Sequence, residues 1–235
     1  MIRGLFVAGT DTGVGKTTVA SGLLRLALRR RRRPIPFKPV ETGCTPDPLD
    51  AQRLWEAAGR PVPLAEVCPF ALELPAAPAA AAALVGLNLD VADLARRASV
   101  LAAHGDFLLV EGAGGLLAPY AGPQTNADLA AAIGLPILVV GKTALGTINH
   151  VSLTVAELRR RGLPLAGILL GRHTAVPAPH EPSNDDLIAG VTGLRPLGTL
   201  PHLTERDAAD SDAVADALQR ALPAEVLGRL LGGQS

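Results

Sequence analysis

The chain has 235 residues, with 22 basic and 22 acidic side chains and a formal net charge of zero. This balance excludes the broad electrostatic attraction on which non-specific binding to nucleic acid or to an anionic membrane depends. The 3% aromatic content also argues against a base-stacking platform. The length suits one domain, so we expect residues 1–235 to form a single domain.

The sequence gives no sign of membrane insertion, export or disulfide formation. Its apolar runs are too short to cross a bilayer, and its N-terminus lacks the pattern of a secretory signal. Cys44 and Cys68 form neither a CxxC pair nor a zinc motif. We therefore expect a cytoplasmic protein with no nucleic-acid or membrane partner.

Short runs rich in Val, Ile and Leu alternate with longer segments of helical period, which is typical of βα units. The predicted strands are residues 4–8, 35–38, 107–110, 137–140, 166–170 and 197–200. The predicted helices are residues 16–30, 50–58, 91–104, 126–133, 147–161, 184–191 and 211–222. Because the strands are continuously apolar, we expect an α/β fold, a mostly parallel sheet with helices on both faces. Ligands of such sheets bind beyond the carboxyl ends of the strands.

The first predicted strand leads into the loop Gly-Thr-Asp-Thr-Gly-Val-Gly-Lys-Thr-Thr at residues 9–18, and then into a helix. This arrangement predicts a phosphate-binding loop and a P-loop NTPase-like fold, although Thr10 stands where the first glycine usually lies and Gly9 comes one place earlier. Lys16 would neutralise the β and γ phosphates, and the Thr17 hydroxyl would ligate Mg²⁺. The predicted nucleotide-binding residues of the loop are Gly13, Val14, Gly15, Lys16, Thr17 and Thr18.

Lys38 leaves the second predicted strand at the same edge of the sheet and is followed by a proline. Its ammonium would point at the phosphates or at an anionic co-substrate. The alternative is a surface lysine whose stem packs on apolar neighbours. Only three of the 22 basic residues are lysines, which favours the phosphate role, because arginine serves almost everywhere else.

Two carboxylates are candidate metal ligands. Glu111 follows the strand at residues 107–110 and precedes a glycine-rich segment, the position at which P-loop enzymes place an acidic residue near the metal. Alternatively, Glu111 caps the amides of that loop. Asp50 opens a predicted helix and is either its N-cap or a further metal ligand.

Residues 145–150, Leu-Gly-Thr-Ile-Asn-His, begin another predicted helix. Free N–H groups at this helix start would suit a carboxylate or a phosphate. The alternative is ordinary capping by Thr147. We interpret His150 as structural, because no nucleophile or carboxylate partner stands near it in the sequence.

The four motifs, in this order and spacing, resemble the dethiobiotin synthetases, and the resemblance extends over about the first 170 residues. It implies an ATP-dependent ligase of biotin synthesis, in which 7,8-diaminononanoate and CO₂ form a carbamate. The carbamate is phosphorylated with MgATP, and the second amine closes the ureido ring. The family also implies a homodimer with the substrate site at its interface.

The resemblance assigns roles to individual residues. Lys38, Lys16 and Thr12 would be catalytic, and Thr17, Asp50 and Glu111 would hold Mg²⁺. The nucleotide would also contact Gly112, Ala113 and Gly114, and the substrate would contact Thr42, Gly146, Thr147, Ile148 and Asn149.

The chain departs from the family at the predicted nucleobase site. Gly171 and Arg172 stand where family members often carry Asn-Asp, whose carboxamide reads adenine. The possible base contacts are then Gly171, Pro201, His202 and Leu203. Without a side chain that reads the base, selectivity relaxes, and we expect CTP or another nucleoside triphosphate to substitute for ATP.

Two other P-loop classes are alternatives. Cobyrinate diamide synthases have Gly-Pro-Asp-Tyr after the second-strand lysine, where this chain has Pro-Val-Glu-Thr. Partition-type ATPase switches carry an extra lysine early in the loop, where this chain has Asp11, and usually an anchoring surface. The arginines at residues 29–33 are the only candidate for such a surface, and charge runs are usually solvated.

Overall fold

The computed structural model describes residues 2–232, so Met1 and residues 233–235, the two ends of the predicted domain, lie outside the described residues. Six parallel strands form the central sheet in the order β10-β9-β8-β1-β5-β2. These strands are β1 (Gly4–Gly9), β2 (Pro34–Phe37), β5 (Phe107–Gly115), β8 (Ile137–Lys142), β9 (Leu165–Gly171) and β10 (Gly198–Leu200). Two small pairs accompany them, β3 (Val40–Thr42) with β4 (Phe70–Leu72) and β6 (Pro119–Ala121) with β7 (Gln124–Thr125).

Helices cover both faces of the sheet. They are α1 (Lys16–Arg29), α2 (Leu49–Ala57), α3 (Leu64–Val67), α4 (Pro78–Leu84), α5 (Val91–Ala102), α6 (Asn126–Ile133), α7 (Thr147–Arg160), α8 (Glu181–Thr192), α9 (Glu205–Ala209), α10 (Ser211–Ala221) and α11 (Ala224–Leu230). The predicted fold class, a parallel α/β sheet between two helical layers, is confirmed.

Alternation along β1 shows why both layers form. Phe6 and Ala8 belong to one apolar core and Leu5 and Val7 to the other, because successive side chains of a strand point to opposite faces. The first core includes residues from α5, α6 and α7, and the second includes residues from α1, α10 and α11. Because all six strands are parallel, their carboxyl ends lie at one edge of the sheet, where the predicted motifs meet.

The main departures from the predicted elements concern a glycine-rich segment, the start of one helix and two short strands. β5 continues through Glu111 to Gly115, beyond its predicted end, although Gly114 has a left-handed φ of 72°. Helix α8 begins at Glu181, earlier than expected, with a proline in its first turn. The β3–β4 pair was not predicted, because three-residue strands give almost no periodic signal.

The arginine run is tied to the chain itself. Arg29 forms ion pairs with Asp212 and Asp216 of α10, and Arg32 pairs with Asp106 and donates to the Leu231 carbonyl oxygen. These contacts give the run a role in joining α1 to α10, which weakens its case as an anchoring surface. Within residues 2–232, no helix is long and apolar enough to cross a membrane.

Candidate active site

The P-loop runs from the end of β1 to the start of α1. Gly13 and Gly15 have φ of 62° and 93°, a left-handed backbone that favours glycine and turns the loop into the helix. A Cβ on Gly9 would stand 2.7 Å from the backbone carbonyl oxygen of Asp11, so this position requires glycine. Lys16 Nζ donates to the Asp11 carbonyl oxygen at 2.9 Å, so the lysine is held along the loop.

A buried cluster joins the second motif to the third. Lys38 Nζ lies 2.7 Å from Glu111 Oε1 and 3.2 Å from Asp50 Oδ2. The Thr17 hydroxyl also donates to Glu111 Oε1, at 2.8 Å. Lys38 is 3% exposed and Glu111 is 1% exposed. The alternative of a solvated surface lysine therefore fails, because this ammonium is buried between two carboxylates.

Glu41 caps the start of α2, which leaves the Asp50 side chain free to contact Lys38. Its carboxylate accepts hydrogen bonds from the backbone N–H groups of Asp50 and Ala51, at 3.0 and 2.8 Å. Helix α2 begins at Leu49 after Pro48, which offers no side-chain cap, so Asp50 is not the N-cap. This cap could not be predicted from a local pattern, because Glu41 lies nine residues before Asp50.

The charges in the cluster stabilise one another. Burial opposes the charged form of Lys38, but the carboxylates of Glu111 and Asp50 outweigh it and raise the pKa of the ammonium. Burial would raise the pKa of Asp50, yet Lys38 lowers it below its usual value. Burial is also the main reason that the pKa of Lys16 is lowered. Lys38 is thus held as a cation and Asp50 as an anion.

The residues predicted to hold Mg²⁺ meet at this cluster. Glu111 Oε2 is buried and has no hydrogen-bond partner among the described residues, while the Thr17 hydroxyl and the Lys38 ammonium contact the other oxygen, Oε1. The Asp50 carboxylate contacts the same ammonium. Residues 2–232 contain no group of three or more His, Cys, Asp or Glu side chains placed to hold a metal. Two carboxylates and a hydroxyl nevertheless fit Mg²⁺, which keeps several waters and takes its remaining ligands from phosphates.

The glycine-rich end of β5 is pinned by two buried side chains that the sequence did not reveal. Asn126 Nδ2 donates to the carbonyl oxygens of Ala113 and Gly115, at 2.6 and 3.0 Å. Tyr120 Oη accepts from the Ala113 N–H at 2.8 Å. A Cβ on Gly112 would stand 2.5 Å from Asn126 Oδ1, so glycine is required for this contact.

Two adjoining cavities flank the P-loop. The first, which we call the phosphate cavity, has a volume of about 410 Å³. Its lining includes most of the predicted catalytic, metal and nucleotide residues, namely Thr12, Gly13, Gly15, Lys16, Thr17, Thr18, Lys38, Thr42, Asp50, Glu111, Ala113 and Gly114. Most residues of the predicted site therefore lie together in space. Gly112 does not line the phosphate cavity, and Val14 lines only the second cavity.

The second, which we call the nucleoside cavity, has a volume of about 350 Å³. It is lined by the four possible base contacts, Gly171, Pro201, His202 and Leu203. Arg172 also lines it, but Arg172 Nε donates to Glu181 Oε2 at 2.8 Å. His173, for which we predicted no role, lines both cavities.

A larger cavity of about 770 Å³ opens on the other side of the phosphate cavity. The two share Thr12, Thr42, Ala113 and Gly114. One wall is the segment at residues 75–78, and another is formed by His150, Leu153, Thr154 and Glu157 of α7. His150, which we interpreted as structural, has an exposed side chain and lines this cavity.

The predicted substrate segment at residues 146–149 lines none of these cavities. Gly146, with φ of 93°, is the N-cap of α7, and no side chain caps the helix. Thr147 is its first residue, and its hydroxyl has no hydrogen-bond partner among the described residues. Capping of the helix by the Thr147 side chain is therefore excluded. Lys142, at the end of β8, also lines none of the three cavities.

The parallel sheet, the P-loop and the Thr17–Glu111 contact define the class, a P-loop nucleoside triphosphatase fold. Solved structures agree on the fold. The MinC:MinD cell division protein complex of Aquifex aeolicus matches with a TM-score of 0.56 at 11% identity, over 93% of this chain and 94% of that one. A ParA family ATPase of Chlorobium tepidum matches with a TM-score of 0.55 at 15% identity, over 97% and 95%.

A family model described as an AAA domain matches residues 3–210. An ATP-dependent dethiobiotin synthetase BioD of Anaeromyxobacter dehalogenans is 49% identical over 201 residues, 85% of this chain and 90% of that protein. The protein of the same name in Bacillus subtilis is 33% identical over 205 residues, 86% and 88% of the two chains. The chain belongs to the dethiobiotin synthetase family, which confirms the resemblance and the predicted class of ligase.

Proposed function

We propose that the protein uses MgATP to convert 7,8-diaminononanoate and CO₂ into dethiobiotin in biotin biosynthesis. One amine adds CO₂ and loses a proton to give a carbamate. A carbamate oxygen attacks the γ phosphorus and releases ADP. The second amine then attacks the carbamoyl carbon, the C–O bond to phosphate breaks, and inorganic phosphate leaves as the ring closes.

The observation that carries this proposal is the contact between the phosphate cavity and the larger cavity. Thr12 and Thr42 stand in the shared wall, beside Lys16 and Lys38 on the phosphate side. A carbamate at one end of a substrate in the larger cavity would thus face the γ phosphate. Holding both reactants in place is the main contribution that an enzyme makes to phosphoryl transfer.

The two lysines supply the electrostatic part of the reaction. Lys16 lies along the loop that would surround the phosphates, and Lys38 lies between the two metal carboxylates. Bound Mg²⁺, held by Thr17, Asp50 and Glu111, would neutralise phosphate charge. Lys38, released from part of its pairing with these carboxylates, would then stabilise the negative charge that develops between the carbamate oxygen and the phosphoryl group.

The lining of the larger cavity suits the substrate. Pro75, Ala76, Leu116 and Leu153 give it an apolar surface for a methylene chain. The segment at residues 75–78, which lines this cavity, consists only of proline and alanine. Substrate contacts at Thr42 and at residues 146–149 remain part of this proposal.

A homodimer forms the second part of the proposal. Three leucines near the larger cavity are strongly exposed, Leu145 at 88%, Leu153 at 63% and Leu117 at 53%. Leu117 and Leu153 line the cavity, so a second copy placed over it would bury them and bring its own residues 146–149 to the substrate. We also propose that the chain forms one domain and acts in the cytoplasm.

The function is tested by measuring phosphate release with MgATP, bicarbonate and diaminononanoate, and with each of these left out in turn. We expect release to need all of them and to be matched by formation of the ureido product. Release that continues unchanged without the diamine would contradict the synthetase function and favour a nucleotide-driven switch. Sedimentation of the wild type and of Leu153→Glu would test the dimer separately.

A further inference from the structure

Arg53 is a third cation in the phosphate cavity, beside Lys16 and Lys38, and no motif in the sequence points to it. It lies on α2, one turn after Asp50, so the helix that presents a metal carboxylate also presents this guanidinium. Its side chain is half-buried. The cavity thus has three cationic side chains, and each needs a partner.

The other two cations are already engaged. Lys38 is paired with Glu111 and Asp50, and Lys16 donates to the Asp11 carbonyl oxygen. Arg53 forms no ion pair with a carboxylate within residues 2–232. Its Nε is buried and has no hydrogen-bond partner in that part of the chain. Arg53 therefore has both charge and a donor available for a ligand in the cavity.

The contacts that Arg53 does make place it at the junction of two cavities. Its Nη1 lies 3.4 Å from Thr18 Oγ1, and its Nη2 donates to the carbonyl oxygen of Ala208 in α9. Thr18 lines both the phosphate and the nucleoside cavities, and Ala208 lines the nucleoside cavity. In a nucleotide that spans the two, this junction is where the sugar meets its first phosphate.

We propose that Arg53 binds the α-phosphate of the nucleotide and, through Ala208, ties α9 to the occupied site. A guanidinium suits this position, because its fixed fork of donors can hold a phosphate oxygen and a backbone carbonyl at once. This inference rests on the proposed use of a nucleoside triphosphate at the same site. In this role, Arg53 sets the affinity for the nucleotide and takes no part in the transfer of the γ phosphate.

The test is the affinity of Arg53→Gln for ATP and for ADP, measured by calorimetry with Mg²⁺ and without diamine or bicarbonate. A charge-assisted hydrogen bond lost to a phosphate should raise both dissociation constants on the order of tenfold. Arg60→Gln is the matched control, since Arg60 follows the same helix, is exposed and pairs with Glu56. Its affinities should equal those of the wild type.

Wild-type affinity in a folded Arg53→Gln protein would overturn the proposal, and so would a loss confined to ATP, which would place the contact at the γ phosphate. If Arg53→Gln does not fold, Arg53→Lys replaces it. A lysine keeps the charge but not the fork, so both dissociation constants should rise by a smaller factor, and unchanged values would again overturn the proposal. A wild type that binds neither nucleotide would contradict the proposed function instead.

Discussion

The two ends of the nucleotide site are built differently. At the phosphate end, four side chains lock together: Lys38, Glu111, Thr17 and Asp50, with the Lys38 ammonium and the Glu111 carboxylate almost fully buried. At the nucleoside end, the cavity lining includes Gly171, Pro201 and Leu203, and the arginine there, Arg172, forms an ion pair with Glu181. The charges needed for chemistry are thus held in place by one another, whereas the described residues that line the nucleoside end include His173 and His202 but no carboxamide to read a base.

This difference has a physical reason. Phosphoryl transfer depends on where charge develops, so its cations and metal ligands must be held rigidly. Recognition of a base requires only that polar groups be left unpaired when the wrong base binds. A glycine at 171 removes such a group without disturbing the phosphate end. We therefore expect variants at the phosphate end to have large effects and changes at the nucleoside end to have small ones.

The largest effect should come from Lys38→Arg. The guanidinium is larger than the ammonium and cannot take its place 2.7 Å from Glu111 Oε1 and 3.2 Å from Asp50 Oδ2. We expect kcat to fall on the order of 100-fold or more. Steady-state phosphate release measures this, and circular dichroism establishes that the variant is folded.

Lys142→Arg is the control for that variant, because Lys142 ends another strand of the same sheet, β8, but lines neither end of the nucleotide site. It should keep the activity of the wild type. Near-normal turnover of Lys38→Arg would show that the phosphate end tolerates a cation of different size and shape. The contrast between the two ends of the site would then disappear.

The next effect should follow from Asn126→Ala. The change leaves the buried carbonyl oxygens of Ala113 and Gly115 without their side-chain donor, at a cost of about 1–3 kcal/mol in the free energy of unfolding. Because Ala113 lines the phosphate cavity, turnover should fall as well. Urea unfolding and kcat measure the two effects. Full stability would mean that the glycine segment holds its shape without Asn126.

A smaller effect is expected when the nucleotide is varied. With ATP, CTP and GTP present in turn at equal concentrations, kcat/KM should differ by no more than about tenfold, because none of the described residues that line the nucleoside cavity carries a carboxamide to read the base. Gly171→Asn should raise the preference for ATP by restoring a carboxamide at the nucleoside cavity. A steep preference for ATP in the wild type would show that backbone groups alone read the base.

The smallest effect should come from Arg29→Ala, which lies outside both ends of the site. Its ion pairs with Asp212 and Asp216 are about half exposed, and exposed pairs contribute about 0–1 kcal/mol. Thermal unfolding should show a slight destabilisation, and turnover should be unchanged. A large loss of turnover would mean that α1 transmits strain from α10 to the P-loop.

The sequence was enough to predict the sheet, its two helical layers and the chemistry of the phosphate end. Buried strands such as β8 are continuous apolar runs, and the P-loop carries its residues in one short segment. Both signals are local, so they can be recognised without knowing which parts of the chain meet.

The remaining parts depend on contacts between distant segments. Glu41 caps α2, Asn126 pins the end of β5, and Arg53 reaches Thr18 and Ala208, yet none of these pairs has a local pattern. The position of His150 also has no local pattern, because only the fold shows that it lines a cavity. In each case, the role depends on a partner that the tertiary structure supplies.

The central claim is that the phosphate end transfers the γ-phosphoryl group to a carbamate formed in the neighbouring cavity. It is tested most directly by running the reaction with ¹⁸O-labelled CO₂ and analysing the released phosphate by mass spectrometry. A carbamate oxygen that attacks phosphorus stays with the phosphate when the ring closes, so each phosphate should carry one ¹⁸O atom. Unlabelled phosphate, released while the ureido product forms, would show that water attacks the nucleotide and would contradict the account.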